Sequence, residues 1–168
     1  MIPDLLQTIA EISVGLAGFS GLVVALRSNR GPLTEVQKYR LRILFALTFG
    51  ALFLSLLPDL LLLLKVPEAR IWFDAPAVMF IYSTGFVIWL ISRSRRIARG
   101  APEIFNWGIF STLATGHIIV LLLQLGLVFG FGGERASGVY ALGLVWYLLH
   151  AAQQFVRMLF ILPRDENQ

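Results

Sequence analysis

The sequence predicts an all-α integral membrane protein, a bundle of five transmembrane helices with its N-terminus outside and its C-terminus in the cytosol. Three observations carry this reading. Of 168 residues, 57% are hydrophobic and only 14% charged, with a mean hydropathy of +0.76. A soluble domain is about one quarter charged, and this chain has too few polar groups to cover a surface facing water. The apolar residues fall into five runs, each close to the roughly 20 residues a helix needs to cross a hydrocarbon core. The basic residues gather at two junctions and at the C-terminal end, as orientation signals do.

The first run covers residues 5–26, from Leu5 to Leu26, and stops at Arg27. Asp4 stands where a signal peptide would carry basic residues, and no small-residue cleavage site follows, so this span is expected to persist. A polar junction from Arg27 to Thr34 contains the breaker Gly31-Pro32, and Thr34 followed by Gln37 has the spacing of a capping box. The second helix is therefore expected to start at Thr34, to enter the membrane near Leu41 and to run to Leu64, spanning 41–64, with Pro58 as a kink site. The third span covers 71–92, with Asp74-Ala75-Pro76 read as a helix start capped by Asp74. It leads into a loop holding Arg93, Arg95, Arg96 and Arg99, closed by Gly100 and Pro102. The fourth covers 105–131 and ends at Gly132-Gly133; the fifth covers 138–162 and is terminated by Pro163. Residues 1–168 thus read as one transmembrane helical domain.

Eleven lysines and arginines fall on one predicted side, against Lys65, Arg70 and Arg135 on the other. The positive-inside rule then sets the orientation and requires an odd number of spans. The expected location is the cell membrane, multi-pass, as in a bacterial inner membrane, with the lipid bilayer as the first partner. The net charge of +4 does not point to nucleic acid, because the aromatic residues lie inside apolar runs rather than beside the arginines. The absence of cysteine excludes disulfides, thiol catalysis and cysteine-held metals. There is no HExxH, no paired-carboxylate metal motif and no phosphate loop. No enzyme activity, soluble substrate or bound metal is expected.

Polar residues within the apolar runs are costly in lipid and mark the places where chemistry is possible. Glu11 lies about 9 Å into the first span. Thr8, Glu11, Gly15 and Gly18 share one face, and Gly21 lies on an adjacent one with Ser13 and Ala17; these small residues suit close helix packing. Asp59 shares a face of the second span with Thr48 and Ser55, and with Glu11 forms a candidate pair of carboxylates at similar depth. His117 and His150 each lie about twelve residues, or roughly 18 Å, from the same predicted membrane face. Equal depth suits a proton path, and also two axial ligands for a haem b iron. Gln153, Gln154 and Arg157 continue a polar stripe below His150, while Ser111, Thr112, Thr115 and Gln124 accompany His117, so these two spans are expected to face each other, a neighbouring subunit or water.

Gly18-Phe19-Ser20-Gly21 resembles the GxSG of rhomboid proteases over these four residues only. Ser20 and His150 differ in depth by about 8 Å, so the two side chains do not meet, and the segment is read as a packing face. The expectation that best joins these observations is a homo-oligomeric channel conducting ions or protons, its pathway drawn from Glu11, Asp59, His117, Gln124, His150, Gln153 and Arg157. A non-catalytic membrane subunit that recruits a partner, and a bis-histidine haem carrier, are the alternatives.

Overall fold

The structure, a computed structural model, describes residues 2–27, 33–100 and 106–160. These form five α-helices: α1 (Ile2–Arg27), α2 (Glu35–Leu63), α3 (Glu68–Gly100), α4 (Trp107–Val128) and α5 (Ala136–Phe160). A 3-10 turn, Gly133–Arg135, leads into α5, and no strand occurs among the described residues. All five helices are long and apolar enough to cross a membrane. The expected stops at Gly31-Pro32, Pro102 and Pro163, together with Arg30, Arg164 and the remaining tail, lie outside the described residues.

Local chemistry sets most helix ends. The Thr34 hydroxyl accepts from the Gln37 amide at 3.2 Å, and the Gln37 side chain accepts from the Thr34 amide at 3.0 Å, so α2 begins with the expected capping box. Its far end closes with Lys65 donating to the Leu62 carbonyl and Val66 to that of Leu61, which leaves Lys65 at φ 59°. That left-handed position suits glycine, because a Cβ there crowds the backbone. Lys65→Gly is therefore expected to raise stability by about 0.5–1 kcal/mol, measured as a higher unfolding midpoint in micelles.

Three expectations need correction. Asp74 does not cap α3, which begins at Glu68 with the Pro67 carbonyl accepting from Arg70 and Ile71; Asp74 lies on the second turn and accepts from Arg70 Nε at 3.3 Å. Pro67, not Pro76, marks the start, and the helix carries Pro76 in its interior. Second, Arg93, Arg95, Arg96 and Arg99 do not form a loop. They ride on the last turns of a continuous 33-residue helix. Third, α4 ends at Val128 rather than at Gly132-Gly133, because Gly130 at φ 82° allows Phe131 to donate to the Gly126 carbonyl.

Helices α2 to α5 form a four-helix ring closed by α2 packing on α5, α3 also touches α5 across it, and α1 lies against the α2–α5 pair. Leu44, Leu47 and Ala51 of α2 and Tyr140, Leu144, Tyr147 and Ala151 of α5 are completely buried there. On α1 the inward face is Leu6, Ile9, Ala10, Ser13 and Ser20. Gly15, Gly18 and Gly21 do not pack within the chain: a Cβ at any of them would meet nothing within 4 Å. The physical reason is area, since burying Leu6 and Ile9 removes far more apolar surface than burying glycines.

Tyrosine hydroxyls tie the bundle together. Pro58 has no N–H, so it leaves the Leu54 carbonyl of α2 without its helical donor. The hydroxyl of Tyr140, from α5, fills that position at 2.6 Å. Tyr82 lies across Gly50, where a Cβ would overlap its ring, and donates to the Ala46 carbonyl at 2.5 Å. Tyr39 joins Ser94 at 2.5 Å, and Tyr147 joins Ser83.

Candidate functional site

The buried face of α4 is His117, Val120, Gln124 and Leu127, which is one helical stripe at spacings of three and four. On α5 the matching stripe runs Tyr140, Leu144, Tyr147, His150, Ala151 and Gln154. Gly116 brings the two helices together, because a Cβ there would run into the Trp146 indole. His117 and His150 are 0% and 2% exposed, and His117 Nε2 lies 2.8 Å from His150 Nδ1. The matching depth seen in the sequence is thus a direct hydrogen bond. Phe86 of α3 covers both rings, with its centroid 5.0 Å from His117 and 6.5 Å from His150, while Trp146 and Tyr147 close the sides.

The chain of polar atoms continues one turn along α5, where Gln154 Nε2 lies 3.0 Å from His150 Nε2. With the Gln154 amide donating, His150 Nε2 accepts, and its Nδ1–H donates to His117 Nε2. His117 then carries its proton on Nδ1, which has no protein partner among the described residues. Turning the Gln154 amide over and exchanging both tautomers reverses every bond in the line. Such a pair can exchange a proton between its two rings, with Gln154 orienting His150, since a carboxamide does not itself relay a proton.

The remaining candidates divide. Gln124 is fully buried, seven residues from His117, and neither amide atom finds a protein partner among the described residues. It lies beside Gly143, where a Cβ would stand 3.0 Å from its Nε2. An unpartnered buried amide costs about 1–3 kcal/mol, so Gln124→Leu is expected to stabilise the bundle by about 1 kcal/mol or more in denaturant unfolding. Gln153 and Arg157 are half-buried. Glu11 and Asp59 both lie on the exposed surface of the bundle, and the recorded partner of Glu11 is Gln7 at 3.0 Å. The single chain therefore encloses neither carboxylate.

Ser111, Thr112 and Thr115 also face outward. The hydroxyls of Ser111 and Thr112 donate to the carbonyls of Trp107 and Gly108, which satisfies them without a neighbouring helix. Spans four and five do face each other, but through His117 and Gln124 rather than this hydroxyl stripe. Ser20 is buried and donates to the Leu16 carbonyl at 2.6 Å.

Sequence reasoning missed Gly116, Phe86 and the Tyr147–Ser83 pair. A signal for part of this was present, since Tyr140, Tyr147 and Gln154 recur at intervals of seven on one face of α5. Comparison with known proteins returns no significant match to a family model, a curated protein or a solved structure.

Proposed function

We propose that this chain is a multi-pass cell-membrane protein whose five helices span the bilayer, N-terminus outside and C-terminus in the cytosol, and that it conducts protons through the interior of the bundle. The observation that carries the reading is the hydrogen-bonded line His117–His150–Gln154, enclosed by aromatic rings between α3, α4 and α5. Imidazole passes protons at ordinary pH because it accepts on one nitrogen while donating from the other. The same geometry favours a relay over haem ligation. Two axial imidazoles need their donor atoms about 4 Å apart, twice a metal–imidazole bond of about 2 Å, whereas these rings bond directly at 2.8 Å. In this reading the path runs inside each chain, and Glu11 and Asp59 lie outside it.

The test is reconstitution into liposomes holding a pH-sensitive dye, with valinomycin to balance charge. An imposed acid gradient should collapse faster than in empty liposomes. Equal rates with folded protein in the membrane would remove proton conduction.

A specific observation also supports self-association. The outward face of α1 carries Thr8, Glu11, Gly15 and Gly18, small and polar groups that a bare lipid contact does not reward. Light scattering of the detergent-solubilised particle, with detergent mass subtracted, should then give two or more copies. A lone monomer would remove the homo-oligomer, and co-purification of a different chain would favour an accessory subunit.

A further inference from the structure

Beside His150 the bundle holds a second polar feature, which adjoins the relay at His150 and Gln154 and adds two arginines that the relay does not use. At the end where α2 and α4 begin and α5 finishes, a cavity with about 40 Å³ open to the centre of a water-sized molecule lies among α2, α3, α4 and α5. Arg40 and Arg157 line it together with Tyr39, Asn106, His150 and Gln154. Arg40 shares the buried face of α2 with Ile43, Leu44 and Leu47, so its side chain enters the bundle, and it is only 4% exposed. Its recorded partner is the Arg157 carbonyl, accepting from Nη1 at a long 3.4 Å. Arg157 adds a second positive charge to the same space.

A buried guanidinium has five donors and a fixed charge, and burial without a counter-charge is strongly unfavourable. Burial this complete rules out snorkelling for Arg40. No carboxylate pairs with either arginine among the described residues; Glu35 pairs with Lys38 and Asp74 with Arg70. Two arginines with no carboxylate partner among the described residues, lining one small, mostly apolar cavity, supply the donors a compact oxyanion takes, which guanidinium groups grip through paired N–H bonds. The room exceeds that of a single water, which takes about 10–15 Å³ by the same measure.

We infer that this cavity is an anion site, in which Arg40 and Arg157 hold a phosphate-like group, either a free ion or the headgroup of an anionic lipid. The inference goes beyond proton conduction and stands without it. The test is titration calorimetry of the full-length chain in micelles with inorganic phosphate, at ionic strength held constant with gluconate. One saturable site per chain is expected, weakened tenfold or more in Arg40→Gln and Arg157→Gln and unchanged in Arg96→Gln, whose residue is exposed. If Arg40→Gln does not fold, Arg157→Gln and Arg40→Lys carry the comparison; Arg40→Lys keeps the charge but loses the paired geometry and should also weaken binding.

Phosphate binding only after delipidation, with about one anionic phospholipid per chain retained before it and less in Arg157→Gln, supports the site and names the headgroup as its source. Heats that do not saturate and are the same in every variant mean screening by an adventitious ion only, and overturn it. So does the absence of both phosphate binding and retained lipid. Binding that appears only when Asp165 and Glu166 are neutralised also overturns it, by giving the cavity to the chain's own tail.

Discussion

His150→Leu, reconstituted into liposomes, is expected to lower proton flux by at least about tenfold, the scale on which a positioned proton-transfer group acts. His150 is the middle of the line, bonded at both ring nitrogens, so its loss separates Gln154 from His117 by a full imidazole. His117→Leu should act similarly. The stability of these variants follows a different pattern. Removing one histidine leaves a buried ring nitrogen of the other without its partner, at a cost of about 1–3 kcal/mol. Replacing both by leucine removes donor and acceptor together and should recover much of that loss, because matched apolar pairs substitute well for buried polar ones. A double-mutant cycle in denaturant should therefore give a coupling of about 1 kcal/mol or more. Flux that persists in the folded double variant would take the pair out of the pathway.

Tyr140→Phe is expected to cost about 1–3 kcal/mol in native protein, the penalty of a buried carbonyl left bare. The Leu54 carbonyl is the group exposed by this change, since Pro58 offers it no N–H and Tyr140 bonds to it at 2.6 Å. In a Pro58→Ala background the alanine N–H can return to that carbonyl, and the cost of Tyr140→Phe should fall below about 1 kcal/mol. Equal costs in the two backgrounds would mean that the hydroxyl does not stand in for the missing donor. Unfolding midpoints of the four proteins, all in one detergent, make the comparison.

Much of the fold was legible because it rests on local chemistry. Five apolar runs became five helices, and Thr34 and Gln37 became a capping box. What the sequence hid was direction. A helix apolar on all sides, such as α1 or α4, shows no stripe that says which face turns inward. Reading Gly15 and Gly18 as a packing face was reasonable on size alone, yet the bundle preferred Leu6 and Ile9. Asp74-Ala75-Pro76 had the form of a helix start, but the chain had already begun the helix after Pro67. For the site, equal depth brought out His117 and His150. The role of Gly116 could not be read without knowing that Trp146 comes to lie on it. Arg40 is one of the eleven basic residues counted on one predicted side, and only its place on the buried face of α2 with Ile43 and Leu44 carries it inside.

The hydroxyl of Tyr140 also fixes how this bundle can move. A slide of α2 along α5 by one turn, about 5.4 Å, would carry the hydroxyl to a carbonyl that already has its helical donor and leave the Leu54 carbonyl bare. The two helices therefore behave as a stator, held in one register by a proline's missing hydrogen. Tyr39 and Tyr147 clamp α3 to the same frame through Ser94 and Ser83. Helix α4 is fastened to it differently, by the bond between two titratable rings. One extra proton leaves that bond intact, because imidazolium still donates to imidazole; a second removes the last acceptor and turns the fastening into a repulsion. A bond that would relay protons one at a time would thus also hold α4 only as long as no more than one extra proton sits on the pair.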